Sequence, residues 1–229
     1  MDMPRVKAVP QKRLDHNNRS FVATSADRTS LLQQAACHDS NPDPAVDDEF
    51  EGMFVEDHDE LFYLMMYNEA LPMPARPDHV DLDDGVVRGG YLLEPAAGDG
   101  PRVNLLGSGT ILFEVMQAAN TLRDEGYAVA VYSITSYVEL ARDAERAEQE
   151  DAVDTAWLDT IFPETDVPTV AATDYVRALP RMIASWINGP FTALGTDGFG
   201  KSERRSDLRA HFKVDAASIA DAARRLASR

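Results

Sequence analysis

VNLLGSGTILFEVMQAANTLRDE, residues 103–125, decides how the chain is read. Four residues, Val103 to Leu106, form a short run with strand character. Gly107, Ser108, Gly109 and Thr110 follow at once. Apolar side chains then recur at Ile111, Leu112, Val115, Met116, Ala119 and Leu122. That spacing has the period of a helix, not of a strand. Gly126 stands where a helix C-cap is expected. The next run, Ala128 to Tyr132 (AVAVY), supplies a second strand. Strand, glycine turn, helix and strand at such short connections predict parallel strands joined by a right-handed crossover.

Downstream the alternation continues. Ser136 is placed to cap a helix through Val138, Leu140 and Ala141, and the charge-rich stretch after it contains good helix formers. Residues 169–172 (TVAA) read as a third strand. Thr173 or Asp174 is then expected to cap a helix carrying Tyr175, Val176, Leu179, Ile183, Trp186 and Ile187, kinked or split at Pro180. Residues 191–194 (FTAL) are a fourth strand, and 195–200 a loop. Ser202 is expected to cap a helix from Glu203 to Phe212, with Leu208 and Phe212 turned inward. A last helix starts at Asp215 and carries Ile219, Ala223 and Leu226. The order βαβαβαβα predicts an α/β fold, a mostly parallel sheet with helices on both faces.

Upstream, residues 1–52 are polar and expected to be loosely ordered, with weak helical character only at 30–36 (SLLQQAA). Residues 61–67 (LFYLMMY) read as a strand buried on both faces. Pro72, Pro74 and Pro77 mark a linker, and residues 85–93 (GVVRGGYLL) read as a second linker strand. The expected organisation is a polar segment over 1–52, a joining segment over 53–101 and an α/β domain over 102–229.

The 229-residue chain carries 39 acidic and 22 basic residues, a net charge of −17. Such a surface repels phosphates and anionic lipid, which argues against nucleic acid and membrane partners. Much of the acid excess lies between Asp43 and Glu60 and reads as a solvated loop. One cysteine, Cys37, allows no intrachain disulfide, which suits the cytoplasm. No apolar run reaches 18 residues.

Candidate chemistry is sparse. The Gly107-Ser108-Gly109 turn offers backbone N–H groups to a phosphate, but Leu112 holds the place of the third glycine of a dinucleotide fingerprint. A tight βα turn is the preferred reading. The five histidines, His16, His38, His58, His79 and His211, form no pair at metal-ligand spacing; His58 among Glu56, Asp57, Asp59 and Glu60 resembles a hard-cation site only superficially. The loop GTDGFGKS, residues 195–202, lies at a strand's C-terminal end, where open α/β sheets build sites. Asp197 is a candidate acid–base or pairing group and Lys201 an anion contact; the plainer reading is a structural turn.

LLGSGTI, AATDYVRALP and ALGTDGFGKSERRSDLRAHFKVD together closely resemble the C-terminal domain of the homodimeric bacterial pyruvate dehydrogenase E1 component. LFYLMMYNEALPMPARP, GVVRGGYLL and SYVELARD fit as well, so the resemblance covers about residues 53–226. It implies a three-layer αβα, transketolase C-terminal-like fold. For the full-length family it implies thiamine diphosphate and magnesium, pyruvate decarboxylation and acetyl transfer to a lipoyl carrier. It implies as partners an E1 homodimer or the missing E1 domains, and a lipoyl acyltransferase complex.

The departures are as informative. The family's GDG…N metal motif and its histidine-rich segment are absent, and its E-R-W-N segment is altered at Glu145-Arg146-Ala147-Glu148. No catalytic, coenzyme-binding or metal residue is therefore assigned. The interface candidates are Thr196, Asp197, Phe199 and Lys201. The expected function is the C-terminal portion of an E1 enzyme, inactive alone. The alternatives are an accessory module that binds an E1-type partner or self-associates, and, more weakly, a Rossmann-type nucleotide binder.

Overall fold

The computed structural model describes residues 74–149 and 156–228, and the backbone of two further strands, β1 (Ser20–Ala23) and β2 (Leu64–Tyr67). These two pair antiparallel, Ser20 opposite Tyr67 and Ala23 opposite Leu64. The expected strand over 61–67 is thus realised at Leu64–Tyr67. Its side-chain burial, the helix at 30–36, Cys37, His16, His38, His58 and the acidic stretch lie outside the described residues.

The main sheet has five strands: β3 (Gly90–Glu94), β4 (Arg102–Gly107), β5 (Ala128–Ile134), β6 (Thr169–Ala172) and β7 (Phe191–Leu194). Their order is β3-β5-β4-β6-β7. The last four run parallel, and β3 is an antiparallel edge on β5. Mixed sheets of this kind commonly carry one antiparallel edge strand.

Each strand places alternate residues on opposite faces, and two helical layers cover them. On one face Val103, Leu105, Val129, Val131 and Val170 pack against α2 (Ile111–Asp124) and α7 (Ala216–Ala227). On the other, Leu106, Ala130, Tyr132, Ile134 and Ala171 pack against α3 (Tyr137–Gln149) and α4 (Trp157–Ile161). The chain crosses from β4 to β5 over the first face and from β5 to β6 over the second, as right-handed crossovers to opposite sides of β4 require. The founding stretch behaves as its periodicity predicts. Gly126 adopts φ +90° and donates to the Arg123 carbonyl at 2.9 Å, ending α2. Ser136 Oγ accepts from the Glu139 N–H at 3.2 Å, starting α3.

Three expectations are corrected. Residues 85–93 are not one strand. Asp81 Oδ1 accepts from the Asp84 N–H at 3.2 Å and starts a short helix, α1 (Leu82–Val87), and the strand begins only at Gly90, after Gly89 turns through φ +102°. The helix over 175–187, expected to be kinked or split at Pro180, is reduced to a short one, α5 (Ala178–Arg181), followed by i→i+3 turns through Trp186. Pro180 has no N–H to give, so the α-helical ladder cannot be completed across it. Ile183 and Ile187 are buried as expected, but Val176 is 48% exposed. The helix after the glycine loop, α6 (Arg205–Phe212), begins three residues past Ser202, and Ser202 does not cap it. Leu208 and Phe212 are half-buried.

Leu105 is fully buried at the centre of β4. We expect Leu105→Ala to lower the unfolding free energy in a urea titration by about 2–5 kcal/mol. Leu208→Ala, at a half-buried position, is expected to cost less.

Candidate functional site

Strand order reverses at β4, between β5 on one side and β6 on the other. In an open α/β sheet the crevice beyond the strand ends at such a point is the usual place for a site. Here it is closed by hydrogen bonds between the loops that leave β4, β6 and β7. Ser108, just past β4, donates through Oγ to Thr173 Oγ1 at 2.7 Å, and both side chains are buried. The Tyr175 N–H donates to the same Thr173 oxygen at 3.2 Å. Thr173 therefore organises a turn, not a helix start. From the β7 side, the Thr196 N–H donates to the Tyr175 carbonyl at 2.8 Å, and Thr196 Oγ1 to the Asp174 carbonyl. Gly195 is needed for this approach, since a Cβ there would lie 2.6 Å from the Tyr175 oxygen.

Asp197 continues the row. Its Oδ1 accepts from the Arg177 backbone N–H at 2.9 Å and its Oδ2 from Arg177 Nε at 2.6 Å. The backbone N–H and then the guanidinium of Arg177 hold this carboxyl below the usual aspartate range. Asp197 is thus a pairing group, as one of its two sequence readings had it. The Gly107-Ser108-Gly109 turn is tight in the way its preferred reading requires. The Ser108 N–H donates to the Ala172 carbonyl at 3.4 Å, and a Cβ on Gly107 would lie 2.8 Å from Leu112 Cα.

Beyond this row lies a cavity of about 370 Å³. Ile111, Leu208, Phe212 and Val214 give it apolar walls, and Lys201, Arg205 and Arg209 bring positive charge. Arg209 Nη1 is already paired with Glu114 Oε1 at 2.8 Å. Of the four interface candidates, Thr196 and Asp197 bind the neighbouring loop. Phe199 is 95% exposed, and Lys201 is exposed at the cavity rim.

The donor chemistry here does not fit a magnesium-bound diphosphate. Such a group needs several oxygen ligands converging on the ion. Among the described residues no three histidine, cysteine or acidic side chains stand together as a metal-binding group. Among the described residues no helix is long and apolar enough to cross a membrane.

Sequence reasoning found the GTDGFGKS loop by its density of glycine and charge. It missed that Thr173 is the hub of the three loops. The available signal was a threonine at a strand's end opposite a serine at its neighbour's end. It also missed Arg177, whose role depends on a partner twenty residues away.

The Asp197–Arg177 pair has a directional pH signature. With its folded pKa depressed, the carboxylate contributes fully above the ordinary value of 3.8, and that contribution is lost as pH falls through the folded pKa. Asp197→Asn is expected to lower Tm slightly at neutral pH, since the pair is solvent-exposed. The gap from wild type should close as pH falls below 3.8. Thermal melts of both proteins across that range check it.

Residues 89–215 match the family model described as the transketolase-like TK C-terminal domain. The chain is 38% identical over 183 residues to the pyruvate dehydrogenase E1 component of Escherichia coli (strain K12), covering 77% of this chain and 20% of that protein. It is 32% identical over 237 residues to the pyruvate dehydrogenase E1 component of Mycolicibacterium smegmatis, covering 90% of this chain and 25% of that protein. The chain thus spans a fifth to a quarter of the length of these curated relatives. In structure it is similar to transketolase from Leishmania mexicana, with a TM-score of 0.46 and 20% identity over 66% of this chain and 20% of that one. With more than half of its residues inside the family match, on a doubly covered, mostly parallel sheet, this chain belongs to the transketolase-like C-terminal domain family.

Proposed function

We propose that this chain serves as the C-terminal portion of a thiamine-diphosphate-dependent pyruvate dehydrogenase E1 and supplies a scaffold and a contact surface, not reacting groups. The observation that carries this reading is the loop over 195–202. Thr196 and Asp197 tie it down, while Phe199 stands 95% exposed beside the cavity. An aromatic held out by a fixed backbone loses little entropy on docking, and buried aromatics anchor interfaces. Val176, on the adjoining loop, is a second exposed apolar side chain at 48%. The relatives' identity as E1 components supports the choice of partner: the remaining E1 domains, or an E1 subunit that carries them.

In this reading residues 53–101 join the domain to what precedes it, and β3 anchors that segment by pairing with β5. The coenzyme, its magnesium ion and the lipoyl acyltransferase complex belong to the assembly, not to this chain's own residues. The setting is cytoplasmic. A second reading, an accessory module that captures an E1 or self-associates, uses the same surface. The pairing of β2 with β1 argues for self-coverage of that strand, so this second reading rests on the exposed Phe199.

The purified chain, supplied with thiamine diphosphate, magnesium and pyruvate, is expected to release no carbon dioxide above background. Measurable decarboxylation would overturn the scaffold reading. In sedimentation with an E1 polypeptide carrying the coenzyme-binding domains, Phe199→Asp should weaken association at least tenfold while leaving Tm unchanged. Equal association of the variant would remove the loop from the interface. Concentration-dependent dimers of the chain alone would favour the second reading.

A further inference from the structure

A second cavity, of about 400 Å³, lies away from the loop row, on the α3/α4 face of the sheet and toward the N-terminal ends of β4 and β5. Its floor is made of small side chains. Ala128 and Ala130 of β5 lie in register with Arg102 and Asn104 of β4, so no large residue fills the space under α4. Leu92, Trp157, Ile161 and Pro163 form the apolar walls. The volume is within the range of small-molecule sites, roughly 300–1,000 Å³.

Two of the polar residues that line this space, Asn104 and Tyr132, belong to the sheet floor. Asn104 is the one polar side chain inside an otherwise apolar stretch of β4, and it is only 7% exposed. Its backbone N–H is bound to the Pro168 carbonyl, and its side chain lines the cavity. Tyr132, 6% exposed, lies on the same face two residues beyond Ala130, and burial pushes its hydroxyl up to about 12, so it stays a protonated donor. An amide presented among apolar walls fixes the orientation of a ligand that can match its donor and its acceptor.

The wall opposite is fixed in advance. The Trp157 backbone N–H donates to Asp143 Oδ2 at 2.6 Å, and its indole Nε1–H to the Gly90 carbonyl at 2.8 Å. The Arg88 guanidinium lies 4.5 Å over the indole ring. A pocket whose aromatic wall is already pinned loses less entropy on binding. Arg102 is paired with Glu164 at the rim, and Asp81, held by the Asp84 N–H, leaves one uncompensated negative charge there.

We propose that this cavity is a binding site for a small neutral molecule with an apolar or aromatic body and one amide-like donor–acceptor group, read by Asn104. The apolar body lies over Ala128 and Ala130 against Trp157, and the polar head pairs with the Asn104 amide and the Tyr132 hydroxyl. Carboxylates are disfavoured, because Asp81 leaves the rim net negative and Arg102, the cation among the lining residues, is already paired with Glu164. The site is separate from the proposed contact surface, and neither proposal rests on the other.

The test is a titration of the full chain with benzamide, followed in ¹H–¹⁵N spectra through the indole N–H signals of its two tryptophans, Trp157 and Trp186. The expected result is a saturable shift of the Trp157 signal alone, at least tenfold weaker with benzoate. Asn104→Leu, similar in size but apolar, should weaken benzamide at least tenfold and leave toluene binding in place. Ala130→Leu should abolish both by filling the floor. No saturable shift, equal shifts of both tryptophans, or unchanged affinity in Asn104→Leu would each overturn the proposal. Should Ala130→Leu fail to fold, the benzamide, benzoate and toluene comparison on Asn104→Leu decides the matter alone.

Discussion

Burial of β4 on both faces is the constraint from which the rest of this structure follows. Val103 and Leu105 point to one side and Leu106 to the other, all fully buried. A strand of this kind cannot stop at a single helical layer. It forces α2 and α7 onto one face and α3 and α4 onto the other, and it sends the chain to β5 on one flank and to β6 on the other. The reversal of strand order, the crevice beyond it and the short loops that meet there are consequences. Burying a leucine-sized side chain contributes about 1.5–3 kcal/mol, so the layers on β4 outweigh any single surface contact.

The loop row converts that scaffold into a defined surface. Thr173 accepts from both Ser108 and Tyr175, and Thr196 donates twice across to the β6 loop. A buried hydrogen bond of this kind is worth about 1 kcal/mol when made and costs more when half is removed. The row matters less for total stability than for position. It holds the backbone just before Phe199, at Thr196 and Asp197, and the aromatic ring is exposed. The same economy of groups explains why the acid of the GTDGFGKS loop is structural: Asp197 is consumed by Arg177, which leaves Phe199 and Lys201 as the loop's outward features.

Much of this was legible in the residues. The β4–α2–β5 unit could be read because its hydrophobic period changes at Gly107 and again at Gly126, and the family resemblance was carried by contiguous stretches. What could not be read depended on partners distant in sequence or on missing donors. Pro180 is expected to kink or split the helix over 175–187, but the apolar pattern still reads as helical on both sides of it and hides how little regular helix survives. Asp81 caps α1 by a local bond, yet the valines and leucines after it have strand character and masked the signal. Ser202 has the right chemistry for a cap and the wrong position. The Asn104 cavity joins β4, β5 and α4, which lie far apart along the chain. A single asparagine within an apolar strand was the one mark it left in the sequence.

Glu114 has a consequence of another kind. On α2, its Oε1 receives Arg209 of α6 at 2.8 Å, and its Oε2 receives the Ala216 N–H at the first turn of α7 at 2.8 Å. The Asp215 side chain, in the usual capping position, makes no such bond. The start of the last helix is therefore secured by a residue about a hundred positions earlier, not by its own neighbour. A terminus capped at long range gains that stabilisation only after the earlier layer has formed. The α6–α7 corner is thus built to consolidate together with α2 as one cooperative block, not as a self-sufficient hairpin.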